Sequence, residues 1–384
     1  MIDLIKFELY KIFSKKSVCI ALLLTMLFAT FNAFGESVNM KLKGLDSLDD
    51  VYSVMKEHEG KVITPEGIAK VEETIDNLSK KEDNGEKLTK EEAVYRYYLY
   101  EVIVTDPTYI VNNQYYTIEE MKSEISKLEK EDKIDTYEYK NIKFVYDKVK
   151  NVEESKYYFK SGWLGTTDFN VIATLITTLI AVGLATVFSD EYQNNGAQIV
   201  LSCIRGKDKL VLSKIISGLI YTAIVFIIIN TIYMFGALKF DFVGWDKPLE
   251  LFKYYRTTPF DMRVIDYYIV GLGVSFVGAM LFSLVTMLMS LIAKNNMISL
   301  LFSLGMYYVP AFIGGFIPID SIGRIFREIN VAEAVRIVGM FRDTSTYNIF
   351  GTPVLYSTVL ITLVIISIPV VAYLIKYIGK KQVI

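Results

Sequence analysis

The chain of 384 residues has one histidine, two cysteines and two tryptophans. A single histidine, His58, gives no pattern from which a Ser-His-Asp or Cys-His set can be built, and it reads as a solvated side chain. Cys19 and Cys203 are far apart and neither lies in the long polar segment, so no disulfide scaffold is expected. No His/Cys/Asp/Glu spacing fits a metal, so no cofactor is expected. The phosphate-cradling pattern G-x-x-x-x-G-K-[ST] is missing: Gly60-Lys61, Gly206-Lys207 and Gly379-Lys380 are followed by Val62, Asp208 and Lys381. The chain is therefore not expected to be an enzyme or to bind ATP by itself. Nothing in it points to a nucleic-acid partner.

Charge is also missing from long stretches, in a chain that is 52% hydrophobic. Six apolar runs stand out: Val18–Phe34, Phe169–Phe188, Ile215–Leu238, Tyr267–Ala293, Met297–Ile317 and Val354–Ile375. About 20 apolar residues at 1.5 Å rise cross a hydrocarbon core, and backbone in lipid must bond within its own helix. The expected fold class is all-α: a polytopic membrane protein with six transmembrane helices and a helical extracellular domain between the first and second. Away from their ends the runs hold no Asp, Glu, Lys, Arg or His. That counts against a transporter driven by its own carboxylates. Asn230, Ser275, Ser283, Thr286 and Ser303 read as interhelical hydrogen-bond partners.

Lys6, Lys11, Lys15 and Lys16 precede the first run, and Lys376, Lys380 and Lys381 follow the last. Arg205, Lys207, Lys209, Lys214 and Lys294 fall on the same proposed side, which the positive-inside rule places in the cytoplasm with both termini. The abundance of Lys, Ile, Asn and Tyr suggests a bacterium of low GC content, hence its plasma membrane. Residues 1–16 carry a stripe of Ile2, Ile5, Leu9, Ile12 and Phe13 and read as an interfacial amphipathic helix. The first span covers residues 17–35.

Residues 36–167 hold 20 Lys and Arg against 28 Asp and Glu and read as a separate helical domain. Thr64-Pro65 starts one helix and Gly85 can end it, Thr89 to Glu92 is a capping box, Thr117 to Glu120 is a second, and a further helix covers about 137–151. Tyr157, Tyr158, Phe159, Trp163 and Trp245 read as rings at the outer interface. Pro310 falls inside the fifth run, and Gly314, Gly315 and Pro318 break it. Residues 318–353 mix Ile and Val with Arg and Glu, and read equally as a re-entrant or interfacial helix or as a surface loop.

The most specific segment follows the second run. Phe188 and Glu191 precede an Asn-Asn-Gly196 turn, a short amphipathic stretch ending in Leu201-Ser202, then Arg205, and Lys214 opens the third run. This order resembles the permease (transmembrane) subunits of the ABC type-2 exporter family. Ala197 stands where Thr is usual and Ile204 where Pro is common. The opening Leu4 to Lys11, with Glu8, also resembles the family, as does the count of six runs. Residues 36–167 lie outside the resemblance. It implies that residues 190–204, within the remainder 168–384, form a coupling helix seated in a separate ABC ATP-binding subunit. Glu191, Gly196, Leu201, Ser202 and Arg205 would make that contact. It further implies a second permease chain, identical or related, in the lipid bilayer. The competing reading is a membrane-anchored sensor or binding protein whose outer domain recognises a ligand.

Overall fold

The computed structural model describes residues 1–42, 52, 55–104, 118–150, 156–194, 206–252, 255–313, 316 and 321–381. It is mostly helical. Among the described residues five helices are long and apolar enough to cross a membrane: Lys16–Gly35, Gly162–Gln193, Lys209–Leu238, Val264–Ala293 and Tyr356–Lys380. This is the architecture of a multi-pass helical membrane protein. The run expected at Met297–Ile317 is helical over Asn296–Ile313 and is not among those five. Pro310 lies inside it, while Gly314, Gly315 and Pro318 fall outside the described residues.

The elements begin with α1 (Ile2–Phe13) and α2 (Lys16–Leu42). The bundle continues with α7 (Ser161–Thr166), α8 (Phe169–Leu184), α9 (Ser189–Gln193), α10 (Gly206–Leu238), α11 (Val264–Ala293), α12 (Asn296–Ile313) and α16 (Tyr356–Lys381), the last preceded by elements given below. At its centre α8, α10 and α11 bury Ile176, Leu179, Val225, Ile229, Phe282 and Met287 together. Small residues let these helices approach, since apolar side chains gain little by leaving lipid and contact must come from close packing. Gly183 faces the Tyr221 ring, Gly218 faces Met287, and Gly236 faces the Ala33 carbonyl. The starts of α1 and α10 and the last turns of α16 lie at one end of the bundle, where Gly379 meets Val211 and Ser217 meets Ile5.

At the opposite end sits the polar region, with α3 (Pro65–Asp83), α4 (Lys90–Val104), α5 (Ile118–Lys130) and α6 (Tyr137–Val149). Thr64 caps α3 by accepting from Gly67 N at 3.1 Å, and Gly85 at φ +83° follows its end. Thr89 and Glu92 form the expected reciprocal box, at 3.2 and 3.0 Å. The second expected box includes Thr117, outside the described residues. Met55, Ile68, Val94, Tyr157 and Phe159 pack with Phe240, which joins this region to the end of α10.

Several expectations change here. Tyr157, Phe159 and Trp163 are enclosed core side chains, not rings at an interface, and Trp163 Nε1 donates to the Phe242 carbonyl at 3.1 Å. Trp245 alone of the two tryptophans is exposed, beneath the Arg263 guanidinium. His58 is stacked on the Tyr98 ring at 4.1 Å and is not simply solvated. Burial, then the nearby Lys61 ammonium, holds its imidazole below the ordinary 6.5. Its folded pKa is depressed, so the stability it contributes is present above 6.5 and is lost as pH falls through the folded value. An NMR titration of His58 should give a midpoint below 6.5, and Tyr98→Ala should bring it back up. An unchanged midpoint would remove the stack as the cause.

Residues 321–355 replace the expected choice between loop and helix with both. Here lie α13 (Ser321–Glu328), α14 (Val331–Arg336) and α15 (Val338–Arg342), then a hairpin of β1 (Thr346–Ile349) and β2 (Thr352–Leu355), with Thr346 opposite Leu355. The hairpin is a departure from all-α. Phe350 and Gly351 both have positive φ, 51° and 82°, as a tight two-residue turn requires, and Asn348 Oδ1 accepts from Gly351 N at 2.8 Å. Asn330 caps α14 through Glu333 N at 2.9 Å, and Ile337 at φ 53° separates α14 from α15.

Helix α14 folds back into the bundle against α8, α11 and α12. Ser275 Oγ donates to the Val335 carbonyl at 2.8 Å, and the Ala334 carbonyl rests on Gly278. Gly278 is about 21 Å along α11 from Val264 at 1.5 Å per residue. The apolar runs themselves lack charge, but α14 carries Glu333 and Arg336 among them. The interhelical role expected of five polar residues holds only for Ser275. Asn230, Ser283 and Ser303 bond to carbonyls of their own helices, and Thr286 Oγ1 has no partner among the described residues.

Candidate functional site

The end of the bundle that carries α1 holds a dense charged cluster. Lys214, in the third turn of α10 and not at its start, is 1% exposed. Its ammonium donates to Glu8 Oε2 at 3.2 Å and to the Val187 carbonyl at 2.7 Å, and it forms an ion pair with Glu191 Oε1 at 2.8 Å. The Phe188 ring covers it at 5.4 Å. Three oxygens thus surround it, from α1, from α9 and from the turn between α8 and α9. Two of its three N–H groups are hydrogen-bonded and a second carboxylate balances its charge at close range, so this buried lysine is paired within the protein.

Lys11 extends the cluster, reaching Glu191 Oε1 at 3.3 Å and Glu8 Oε1 at 3.6 Å. Lys15 pairs with Asp190 Oδ2 at 2.5 Å and also bonds Thr186. Asp190 accepts in turn from Asn296 Nδ2. Ser290 Oγ accepts from the backbone N–H groups of Phe188 and Ser189, each at 3.1 Å. Asn296 begins α12 and Ser290 is in the last turns of α11. Four helices (α1, α10, α11 and α12) and the turn before α2 are therefore tied to the short α9 by side-chain contacts. Three carboxylates (Glu8, Asp190, Glu191) face three ammonium groups (Lys11, Lys15, Lys214), so the cluster is neutral as a whole.

The local sequence explains the placement. Glu8, Ile12 and the partly buried Leu9 and Phe13 share the face of α1 that packs on α10, and Phe13 meets the Tyr221 ring at 5.3 Å. The expected stripe of α1 thus packs largely onto protein, while Ile2, Phe7 and Tyr10 are exposed on the outward side. Ser217 Oγ closes the contact by donating to the Ile5 carbonyl at 3.1 Å.

No protein-family model matches the chain, and no curated protein matches it.

Of the residues expected to contact a partner, Glu191 lies in this cluster. Gly196, Leu201, Ser202 and Arg205 fall outside the described residues, as does most of the stretch 190–204. The described part is α9 and Asn194. Lys15, Asp190 and Asn296 join the cluster without any signal in sequence spacing. They lie in the turn between α1 and α2, on α9 and at the start of α12, which only the fold brings together. No group of three His, Cys, Asp or Glu able to hold a metal occurs among the described residues.

Proposed function

We propose that this chain is the transmembrane permease subunit of an ATP-driven exporter of the ABC type-2 kind. In this reading it crosses a bacterial plasma membrane six times, with α12 as the fifth span. Both termini are cytoplasmic and residues 36–167 are outside. ATP is bound and hydrolysed by a separate subunit, and two permease chains enclose the path.

The observation that carries the reading is the Glu8–Lys214–Glu191 cluster. The residues that give the chain its resemblance to that family lie in two separate stretches of sequence, the opening with Glu8 and the segment from Phe188 to Lys214, and carboxylates of both meet at the Lys214 ammonium. An ion cluster enclosed by protein is stiff, because separating any pair exposes an uncompensated charge. A push on α9 therefore moves the end of α8, the start of α10 and α1 together. That is what a coupling element needs: a force applied at one short helix must reach several spans without being absorbed in side-chain rearrangement.

The outward face of α1 then has a use as a second contact with the same ATP-binding subunit. A photo-crosslinking residue placed at Phe7 and another at Gln193, both exposed, are expected to capture one and the same ATP-binding protein in native membranes. Capture of two unrelated proteins, or of lipid alone from both positions, would count decisively against the reading.

A further inference from the structure

Mid-bundle, an ion pair opens onto the surface of a helical face that is otherwise built for lipid. Arg336 Nη2 donates to Glu333 Oε1 at 2.5 Å, and each side chain remains 18% exposed. Both belong to α14, whose neighbour Val335 is held at the depth of Ser275 on α11. Ionisable groups this deep face a bundle interior or a water-filled path, because hydrocarbon solvates neither charge. The outer faces of α2 and α16 show what lipid-facing surface looks like in this chain: Leu23, Leu24 and Leu27 on one, Ile365, Ile366 and Val370 on the other.

The surroundings of the pair are polar and aromatic. The Arg336 guanidinium lies 5.7 Å from the Tyr307 ring. Tyr307 OH bonds Thr174 Oγ1 at 2.9 Å and Tyr308 OH bonds Thr178 Oγ1 at 3.1 Å, which ties α12 to α8 on this face. The Tyr307 and Tyr308 rings stand edge to face at 5.1 Å, and Tyr308 is 42% exposed. Beginning at Val331, two residues before Glu333, an apolar groove of about 620 Å³ runs between α12 and α13, past Leu301, Met306, Val309 and Phe326. The pair is also incompletely satisfied as it stands. Arg336 Nε is enclosed with no partner among the described residues, and there the Glu333 carboxylate receives one hydrogen bond, from Arg336.

We infer that this face binds cargo, and that the cargo is a cationic amphiphile: an apolar body seated in the groove with a positive group that displaces Arg336 from Glu333. Charge decides the sign. One end of the groove is at Val331, two residues from the Glu333 carboxylate, the buried Tyr307 ring already carries the Arg336 cation, and the Tyr308 ring beside it is exposed; aromatic faces attract cations and not anions. Arg336 serves as the resident counter-ion of Glu333 until cargo arrives. The inference rests on the exporter reading for the word cargo, but the binding itself needs only this chain.

The test uses the full chain in phosphatidylcholine nanodiscs at pH 8, with labelled tetraphenylphosphonium as probe and tetraphenylborate as its anionic match in shape and apolar area. The cation is expected to bind saturably and more tightly than the borate. Glu333→Gln should weaken it at least tenfold, and Arg336→Gln should leave it as tight or tighter, because the competitor is gone. A purely structural pair would make both substitutions weaken binding alike. That result, or preference for the borate, or absence of saturable binding, overturns the inference. Should Glu333→Gln fail to fold, Tyr308→Ala removes an exposed ring instead and should weaken the cation severalfold; unchanged affinity overturns the inference equally. No ATP-binding partner is present in the assay, so failure of the exporter reading would leave these values as they are.

Discussion

Replacing Lys214 with methionine is expected to release α1 from the bundle. The substitution keeps the length and most of the apolar stem but leaves Glu8, Glu191 and the Val187 carbonyl facing one another without their shared ammonium. Removing one member of a buried ion pair costs about 3–5 kcal/mol, most of it from the charge left behind. Two carboxylates are left behind here, and Lys11 reaches both only at the longer distances of 3.3 and 3.6 Å. Hydrogen exchange in detergent should therefore show residues 2–13 losing protection, with the interior of α11 little changed. The triple substitution Lys214→Met, Glu8→Gln and Glu191→Gln should recover much of the loss, since no ion is then stranded. Full protection of α1 in the single variant would mean that apolar packing of Ile12 and Phe13 holds it and the ion cluster does not.

The second large effect is expected at Gly278. A Cβ there falls on the Ala334 carbonyl, so backbone meets backbone and no rotamer can yield. Overpacking a core commonly costs about 1–3 kcal/mol, and contacts that cannot relax lie at the upper end. Gly278→Val should expel α14 from between α8 and α11. A cysteine placed at Val335, which is fully buried, should then react with a small thiol reagent, whereas in the Gly278 background it should not. Gly273 supplies the control on the same helix. It has nothing within 4 Å, so Gly273→Val should leave that cysteine protected. Equal reactivity in all three backgrounds would mean that α14 does not sit where it is described.

What the sequence could and could not say follows from which forces act locally. Apolar runs are a local property, so Phe169–Phe188 and Tyr267–Ala293 were readable as helices, and the Thr64 and Thr89 caps were readable because the bonding groups are three residues apart. The position of α14 was not readable. Its charges make it look like surface, and only the glycines of α11 and the pairing of Glu333 with Arg336 make room for it among spans. Aromatic residues beside a span misled for a related reason. Trp163 and Tyr157 have the composition of an interface belt, but burial against Phe242 and Tyr98 depends on chain segments far away in sequence. The charged cluster was half readable. Glu191 and Lys214 stood out by resemblance, and Glu8 within a longer stretch, whereas Lys15, Asp190 and Asn296 are brought together by folding alone.

The central claim is that this bundle is driven from outside itself through the cluster at α9. The most direct measurement is purification of the tagged chain from its own membranes in mild detergent, followed by assay of ATP hydrolysis in the eluate. The account predicts a co-purifying ATP-binding protein with hydrolytic activity, recovered with the natural chain and lost with Glu191→Lys. A chain that elutes alone and without activity under the gentlest conditions, or a partner that Glu191→Lys retains undiminished, would contradict it.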